Sequence, residues 1–581
     1  MNTAVPYTGT VDMSGRTSAM TLNTGGGTIV VYGNWINGSG TTLTGGDLTF
    51  SGRNTQTITS AGKTFPGSIT VDSYGGAVEL ADALTISTSF LLVITNGGFD
   101  SKGFNVTAGA LSSSNSNVRS ITLGASTVTL VNATNPVLLT TSTNLTLSAG
   151  TSQITMSATS ASTFAGGGLT FYNVSFTGTT AITNTISGAN TFNNVTATAS
   201  AATGVMQLTL SANQTINGTL TVAGASPIRR VFVRSNTLGT TRTLTVATLS
   251  ATDCDFRDIT IAGAAAGSSP TRAGDCGGNT GITFTSKTVY WNLAGTQNWS
   301  ATGWAPSSGG TVDINQFPLA QDTAVFDDAG SAGTVTIDQV WNIGTLNASA
   351  RTSAMTLTTS TNAPVAYGNW TWGTGVTSTS TTGILTFAGR GTTTITSNGV
   401  TFGCPITINA ITGTVQLADA LSIDAARTLT LTTGTFDAVT YNVTTGFFVS
   451  ALSAVRTVKM GSGTWTISGT GTTVWTMSST NNTLYKGTAN IVLSDTSTSP
   501  RGFDSTNFSY NKLTIGGATG TSTTSFIGNN QFTELASTKT VAHTIALGTT
   551  TQTVGAWTVT GTVGNVAVSY THLRAHETEA D

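Results

Sequence analysis

The sequence predicts an all-β chain wound as a parallel β-helix, a β-solenoid built from two tandem copies of a module of about 336 residues, both truncated. Three observations predict it. Long stretches recur at a nearly constant offset: Arg16 to Leu22 (RTSAMTL) returns at Arg351 to Leu357, and Tyr32 to Trp35 (YGNW) at Tyr367 to Trp370, both 335 residues on. Leu80 to Leu84 (LADAL) returns at Leu417 after 337 residues, and GANTF at Gly188 returns as GNNQF at Gly528 after 340, a drift that places length changes in loops. The composition is that of an ordered but nearly uncharged chain, with 38% hydrophobic and only 8% charged residues, and with 68 Gly against 10 Pro. Finally, apolar and hydroxyl residues alternate with period two in short runs that end in turn residues every 8 to 12 positions, with no 3.6-residue period between them.

Along the first copy, expected over 1–287, Leu91 to Thr95 forms a strand, Asn96-Gly97-Gly98 a corner, and Phe99-Asp100 and Phe104 to Thr107 the next extended pieces. The second copy, expected over 288–567, spells the same unit as Thr428 to Thr432, Thr433-Gly434, Phe436-Asp437 and Tyr441 to Thr444. Thr is stiff at χ1 and suits a pleated surface, while Gly supplies left-handed corners. A string of antiparallel sandwiches fits the strand rhythm too, but needs linkers about every hundred residues, and no such shift in composition occurs. In a solenoid a surface of Thr, Asn and Gly is tolerated because sheet edges exist only at the ends. Leu429, Leu431, Phe436 and Val443 are expected in one continuous interior stack.

Both ends are expected to fall inside a copy. The second copy opens with Tyr290-Trp291, Asn298-Trp299, Trp304, Pro318 and Asp322 before Gly344, the match of Gly9, and the first has no room for that opening. The first closes with Asp253 to Thr285, which the second does not reach. From Val568 the chain reads VSYTHLRAHET, similar to a translated sequencing adapter, so 568–581 is expected to be a non-native, disordered tail. His572 and His576, at a spacing that would suggest a metal site on a helix, are discarded with it, leaving His543 as the only imidazole. The remaining chain holds 21 basic and 21 acidic residues, with no basic stripe for nucleic acid. The most apolar run, Phe90 to Ile94, is far shorter than the roughly 20 residues of a membrane-spanning helix, so no membrane insertion is expected.

The segment Tyr290 to Ile337 differs from its surroundings, with Trp291, Trp299, Trp304, then Asp322 and the pair Asp327-Asp328. It resembles the opening of repeat modules in bacterial autotransporter-like adhesins and phage-encoded β-helical surface proteins. That resemblance implies an extracellular, cell-surface or virion location and a structural or adhesive role.

Candidate chemistry is sparse. Two acid clusters, Asp253, Asp255 and Asp258, and Asp322, Asp327 and Asp328, invite comparison with the paired carboxylates of polysaccharide-cleaving enzymes, but turn-forming Asp that bonds its own backbone is the ordinary explanation. Asp253 with Asp255, and Asp313 with Asn315, are calcium candidates that lack the glycine-and-acid spacing of a calcium loop. Cys254 and Cys276 bracket a Gly/Ala/Ser-rich loop and form a candidate disulfide or two small buried residues, and Cys404, at the place of Gly67, is a filler. Trp35 and Trp370 stand at matched places as glycan-stacking platforms or duplicated core aromatics. No Ser-His-Asp set or phosphate loop is present, and no cofactor is expected. Three functions follow. The first is a repeat-built fibre or stalk that displays binding surfaces, its partners a host-surface glycan or receptor and further copies of the repeat. The second is a tailspike-like polysaccharide depolymerase. Ice binding through T-x-T ladders comes third, because those triplets fall at irregular intervals in the sequence.

Overall fold

A computed structural model describes residues 6–559 except 133, 178–181, 200–201, 331, 471, 495 and 518; the adapter-like tail lies outside the described residues. The chain divides into two compact units, Met1–Thr285 and Ser286–Asp581. Each is a parallel β-solenoid. Among the described residues the only helical pieces are single 3-10 turns, Gly263–Ala265 and Ile314–Gln316. None is long and apolar enough to cross a membrane. Among the described residues one pair of strands is antiparallel, Thr288–Trp291 with Trp304–Ala305, and the other paired strands run parallel.

In the first unit each coil contributes up to three short strands, so that like positions pile into columns. One column runs Ile29, Leu48, Ile69, Leu92, Leu111, Val137, Phe164, Ile186 and Leu210, each residue in register with the next coil. A second runs Leu84, Val106, Val128, Ile154, Val174, Val195 and Leu220. Sequence separations along the first column range from 19 to 27 residues, because loops between strands absorb the difference while the ladder stays in register. Alternation does the rest: in Thr127–Leu130 and Gln153–Met156 every second side chain is buried. Each buried aliphatic side chain contributes roughly 1.5–3 kcal/mol, and the columns repeat that contribution coil after coil.

The second unit is stacked the same way. Leu385, Ile406, Leu429, Phe448, Trp475, Phe503 and Phe526 form one column. Leu421, Val443, Trp465, Ile491, Leu513 and Leu535 form another. The expected interior residues Leu429, Leu431, Phe436 and Val443 are all fully buried. Phe448 and Trp475 lie 4.5 Å apart with rings tilted by 34°, and Trp475 and Phe503 5.7 Å apart with nearly parallel rings, so the aromatic column mixes tilted and stacked contacts.

Corners are built from repeated local chemistry. The strand Leu91–Asp100 bends at Gly97 (φ +78), where a Cβ would lie 2.1 Å from the Ser73 carbonyl; its match in Thr428–Asp437, Gly434 (φ +88), would meet the Ala410 carbonyl at 2.0 Å. No other residue fits either place. Asp82 accepts the backbone N–H groups of Ser60 (2.6 Å) and Ala61 (2.7 Å) on the preceding coil, and Asp419 accepts those of Ser397 and Asn398, both at 2.6 Å. Ala61 and Asn398 are left-handed, so each Asp holds the corner of the coil beneath it. Gly434→Ala combines a left-handed residue with a backbone collision, and a loss of about 2 kcal/mol or more is expected in denaturant unfolding, against little change for Gly391→Ala, whose Cβ would meet open space.

Candidate functional site

The acids at the end of the first unit are claimed by arginines. Asp255 accepts from the Arg230 guanidinium at 2.6 and 3.2 Å, and Arg272 donates to both oxygens of Asp253 at 2.6 and 2.7 Å. Arg230, Asp253 and Asp255 are almost fully buried, so each carboxylate is balanced by a guanidinium. As calcium candidates Asp253 and Asp255 are therefore corrected: their oxygens serve ion pairs that tie Arg229–Ser235 to the two coils that follow. Asp258, left-handed and buried, accepts the Gly239 N–H at 3.0 Å and holds a loop.

The candidate bond between Cys254 and Cys276 is not formed. Both are buried thiols outside any disulfide. The register pairs Cys254 with Ala273, which sets Cys276 three residues further along and out of cross-strand reach. Burial pushes the Cys254 thiol far above its ordinary range. Cys404 is also buried, its thiol pushed up to about 11 by desolvation, in keeping with a filler.

In the second unit the acids hold turns. Asp313 caps the 3-10 turn Ile314–Gln316, its carboxylate accepting Asn315 N–H and side-chain Nδ2, both at 3.0 Å. The calcium pairing of Asp313 with Asn315 is thereby replaced by a capping bond inside one turn. Asp322, buried, accepts the N–H groups of Lys287 and Leu319 at 2.9 Å each, and Asp327 accepts that of Ala329. Asp328 receives the Thr352 hydroxyl and the N–H groups of Ser353 (2.8 Å) and Thr352 (3.0 Å). Led by the Thr352 hydroxyl, these bonds hold its carboxyl down at about 2. Among the described residues no three His, Cys, Asp or Glu side chains are grouped to hold a metal ion.

Trp35 and Trp370 are corrected as stacking platforms: each is 1% exposed and faces the interior. The Trp35 indole N–H donates to Asn37 Oδ1 at 2.9 Å, and Trp370 packs edge-on to Trp372 at 5.4 Å. Exposed rings lie elsewhere, among them Tyr7 and Tyr32, stacked 6.2 Å apart, and Tyr74. The interior gap among Leu92, Phe99, Val106, Leu111, Leu123 and Val128 is apolar and too tight for a water molecule.

Two features were not legible as functional in the sequence. The first is a hydroxyl column on one outer face of the first unit, in which Thr64, Thr85, Thr107, Thr129, Thr155, Ser175, Thr196, Thr221 and Ser250 lie in register on successive coils. Unequal coil lengths hide it in the linear sequence. The second is buried Arg. Arg119 donates to the carbonyls of Asn117 (2.9 Å) and Thr143 (2.7 Å), and Arg456, 337 residues on, repeats this with Ala454 (3.0 Å) and Thr480 (2.6 Å). Desolvation lowers the pKa of both guanidinium groups. They clamp the loops flanking one corner.

Two outcomes follow from this geometry. All three thiols are expected to resist a thiol reagent until the chain is unfolded, and reductant is expected to leave the melting temperature unchanged, whereas a shift on reduction contradicts the absence of a disulfide among them. Asp328 has a folded-state value below its ordinary 3.8, so its contribution is fully present above that pH and is lost as pH falls toward about 2. Carboxyl titration by NMR is expected to show that low midpoint, and Thr352→Ala to raise it.

Comparison with known proteins returns no family model, no curated protein and no solved structure that matches this chain.

Proposed function

We propose that the chain is part of a repeat-built fibre or stalk on a cell exterior or virion, and that its outer faces display binding surfaces for a host glycan or receptor. The observation that carries this reading is the commitment of the candidate acids to turns and ion pairs around an interior filled by apolar columns. A depolymerase needs two carboxyls of different proton affinity facing a sugar in a groove. An uncharged, hydroxyl-rich skin depends little on ion pairs that salt screens, which suits exposure to variable media. Duplication lengthens such a device without redesign, since each coil contacts mainly its neighbours.

Ice binding is a second reading, favoured by one observation. Thr and Ser residues that fall at unequal intervals in the sequence come into register, one hydroxyl per coil over nine coils, at the roughly 4.7–4.9 Å spacing of paired strands, and three of them, Thr129, Thr196 and Thr221, belong to T-x-T triplets. Such a face offers methyl and hydroxyl groups in a regular array, as an ice surface requires.

Incubation of the full chain with a panel of bacterial polysaccharides separates the first reading from catalysis. Retention with no new reducing ends and no unsaturated products is expected, and release of oligosaccharides overturns the display role. Thermal hysteresis separates it from the second reading: none is expected from a fibre, while activity that falls on Thr155→Tyr puts ice binding first.

A further inference from the structure

We infer that one corner of the first unit, carrying Tyr7, Tyr32 and Tyr74, is a stacking track for an extended neutral glycan chain, an assignment that gives the display reading its face and ligand class and rests on that reading. In a unit whose large side chains mostly fill interior columns, these three rings stand out in solvent: Tyr7 is 70%, Tyr32 52% and Tyr74 75% exposed.

Register brings them to one place. Tyr7 pairs with Val30, and Val31, Phe50 and Val71 are register partners on three successive coils. Directly after each of them the chain turns the same corner, at Tyr32, at Gly52-Arg53 and at Ser73-Tyr74. Within Ile69–Leu80, Asp72 pairs with Asn96 and Ala77 with Gly98, so this strand carries more residues through the corner than its neighbour, and the surplus bulges outward. Gly75 at the tip is left-handed (φ +74) with open space where a Cβ would lie, and a Cβ on Gly76 would lie 2.5 Å from the Gly52 carbonyl. The bulge thus lifts Tyr74 clear of the surface, beside Arg53 on the coil before.

The rings of Tyr7 and Tyr32 lie 6.2 Å apart, inclined by 27°, and form one continuous apolar face. Tyr32 and Tyr74 are two coils apart, roughly 9–10 Å along the axis. An extended chain of β-linked pyranoses presents C–H faces along a straight line and keeps its equatorial hydroxyls at the sides. Its faces fit the rings, and exposed Arg53 and Asn54 between the rings offer donors to its hydroxyls. Among the described residues Arg53 has no ion pair. A Tyr ring has two side-chain torsions, so little entropy is lost when it is covered. A protein partner needs a broad face, on the order of 800 Å², whereas here single rings alternate along the axis with polar side chains.

The second copy shows that packing does not account for these rings. Its strand Ile406–Leu417 keeps the bulge, with Asn409 paired to Thr433 and Thr414 to Thr435. Yet half-buried Ile411 stands at the place of Tyr74 and Asn342 at that of Tyr7, and Tyr367, the match of Tyr32, is half-buried with its hydroxyl donating to Asn342 Oδ1 at 3.4 Å. The corner folds without exposed rings.

The test titrates the full chain with cellohexaose, chitohexaose, cellobiose and maltohexaose, read by calorimetry and by saturation transfer to the sugar protons. An extended hexaose, cellohexaose or chitohexaose, is expected to bind, and cellobiose, too short to cover Tyr32 and Tyr74 together, to bind about tenfold more weakly, as is maltohexaose, which curls away from a straight track. Tyr32→Ala and Tyr74→Ala are each expected to weaken hexaose binding about fivefold, while Tyr74→Phe retains it. Tyr485→Ala, which removes an exposed ring of the second unit, is expected to bind as the parent does. Because Tyr74 is the most exposed of the three rings, Tyr74→Ala is expected to keep the parent melting temperature, which separates lost binding from lost folding. No binding of either extended hexaose, equal binding of maltohexaose, or undiminished binding in both Tyr→Ala variants overturns the track. Those failures leave the display role standing, whereas cleavage of a hexaose overturns the display role alone.

Discussion

Everything in this protein depends on the backbone ladder between successive coils staying in register while the coils differ in length. A parallel ladder joins each strand to the one a coil earlier, so a slip of one residue would turn every apolar side chain of that strand to solvent. Leu92 to Leu111 spans 19 residues and Val137 to Phe164 spans 27, yet both pairs are direct partners. The constraint is met because length changes are confined to corners, where no ladder bonds are at stake.

Corners therefore carry the sequence specificity that the strands lack. A strand position asks only for an aliphatic or aromatic residue inward and a Thr or Ser outward. A corner asks for one residue: Gly97 and Gly434 for their left-handed backbone, and Asp82 and Asp419 for an acceptor that reaches two N–H groups on the coil beneath. The few charges obey the same logic. Arg119 and Arg456 spend their donors on loop carbonyls, and Asp322 and Asp328 spend their oxygens on loop N–H groups. A chain with 8% charged residues places many of them where backbone groups at a bend lack a ladder partner.

Much of this was legible in the sequence. Period-two alternation located the strands around Leu91 and Thr428, and the strands that run into the two LADAL segments, Ile69–Leu80 and Ile406–Leu417, are both 12 residues long. What was not legible needed the third dimension. The hydroxyl column is scattered in the sequence because coil lengths vary, and it appears only once register is known. Trp35 and Trp370 left a platform reading open beside the commoner one of duplicated core aromatics, since a Trp flanked by Asn gives no sign of which face it takes. The identical heptapeptides place Arg16 in solvent and Arg351 in the interior, where the Asp327 carbonyl of the preceding coil receives it at 2.7 Å. Local sequence was the same, and tertiary context decided. Cys254 and Cys276 likewise left a staple and two separate buried residues open in the sequence, and a three-residue displacement along paired strands keeps them apart.

The functional reading rests on what register leaves on the outside, hydroxyl ladders and a few exposed rings around an interior filled by apolar columns. Its foundation can be tested by oxidation of paired Cys replacements in a chain whose own three Cys are changed to Ser. Thr107 and Thr129 are register partners on adjacent coils, while Thr107 and Thr155 stand two coils apart. Replaced by Cys, the first pair is expected to form a disulfide readily and the second to remain as free thiols, because Cα atoms must lie within about 7 Å to be bridged. Cross-linking of the second pair in preference to the first would contradict the stacked parallel coils.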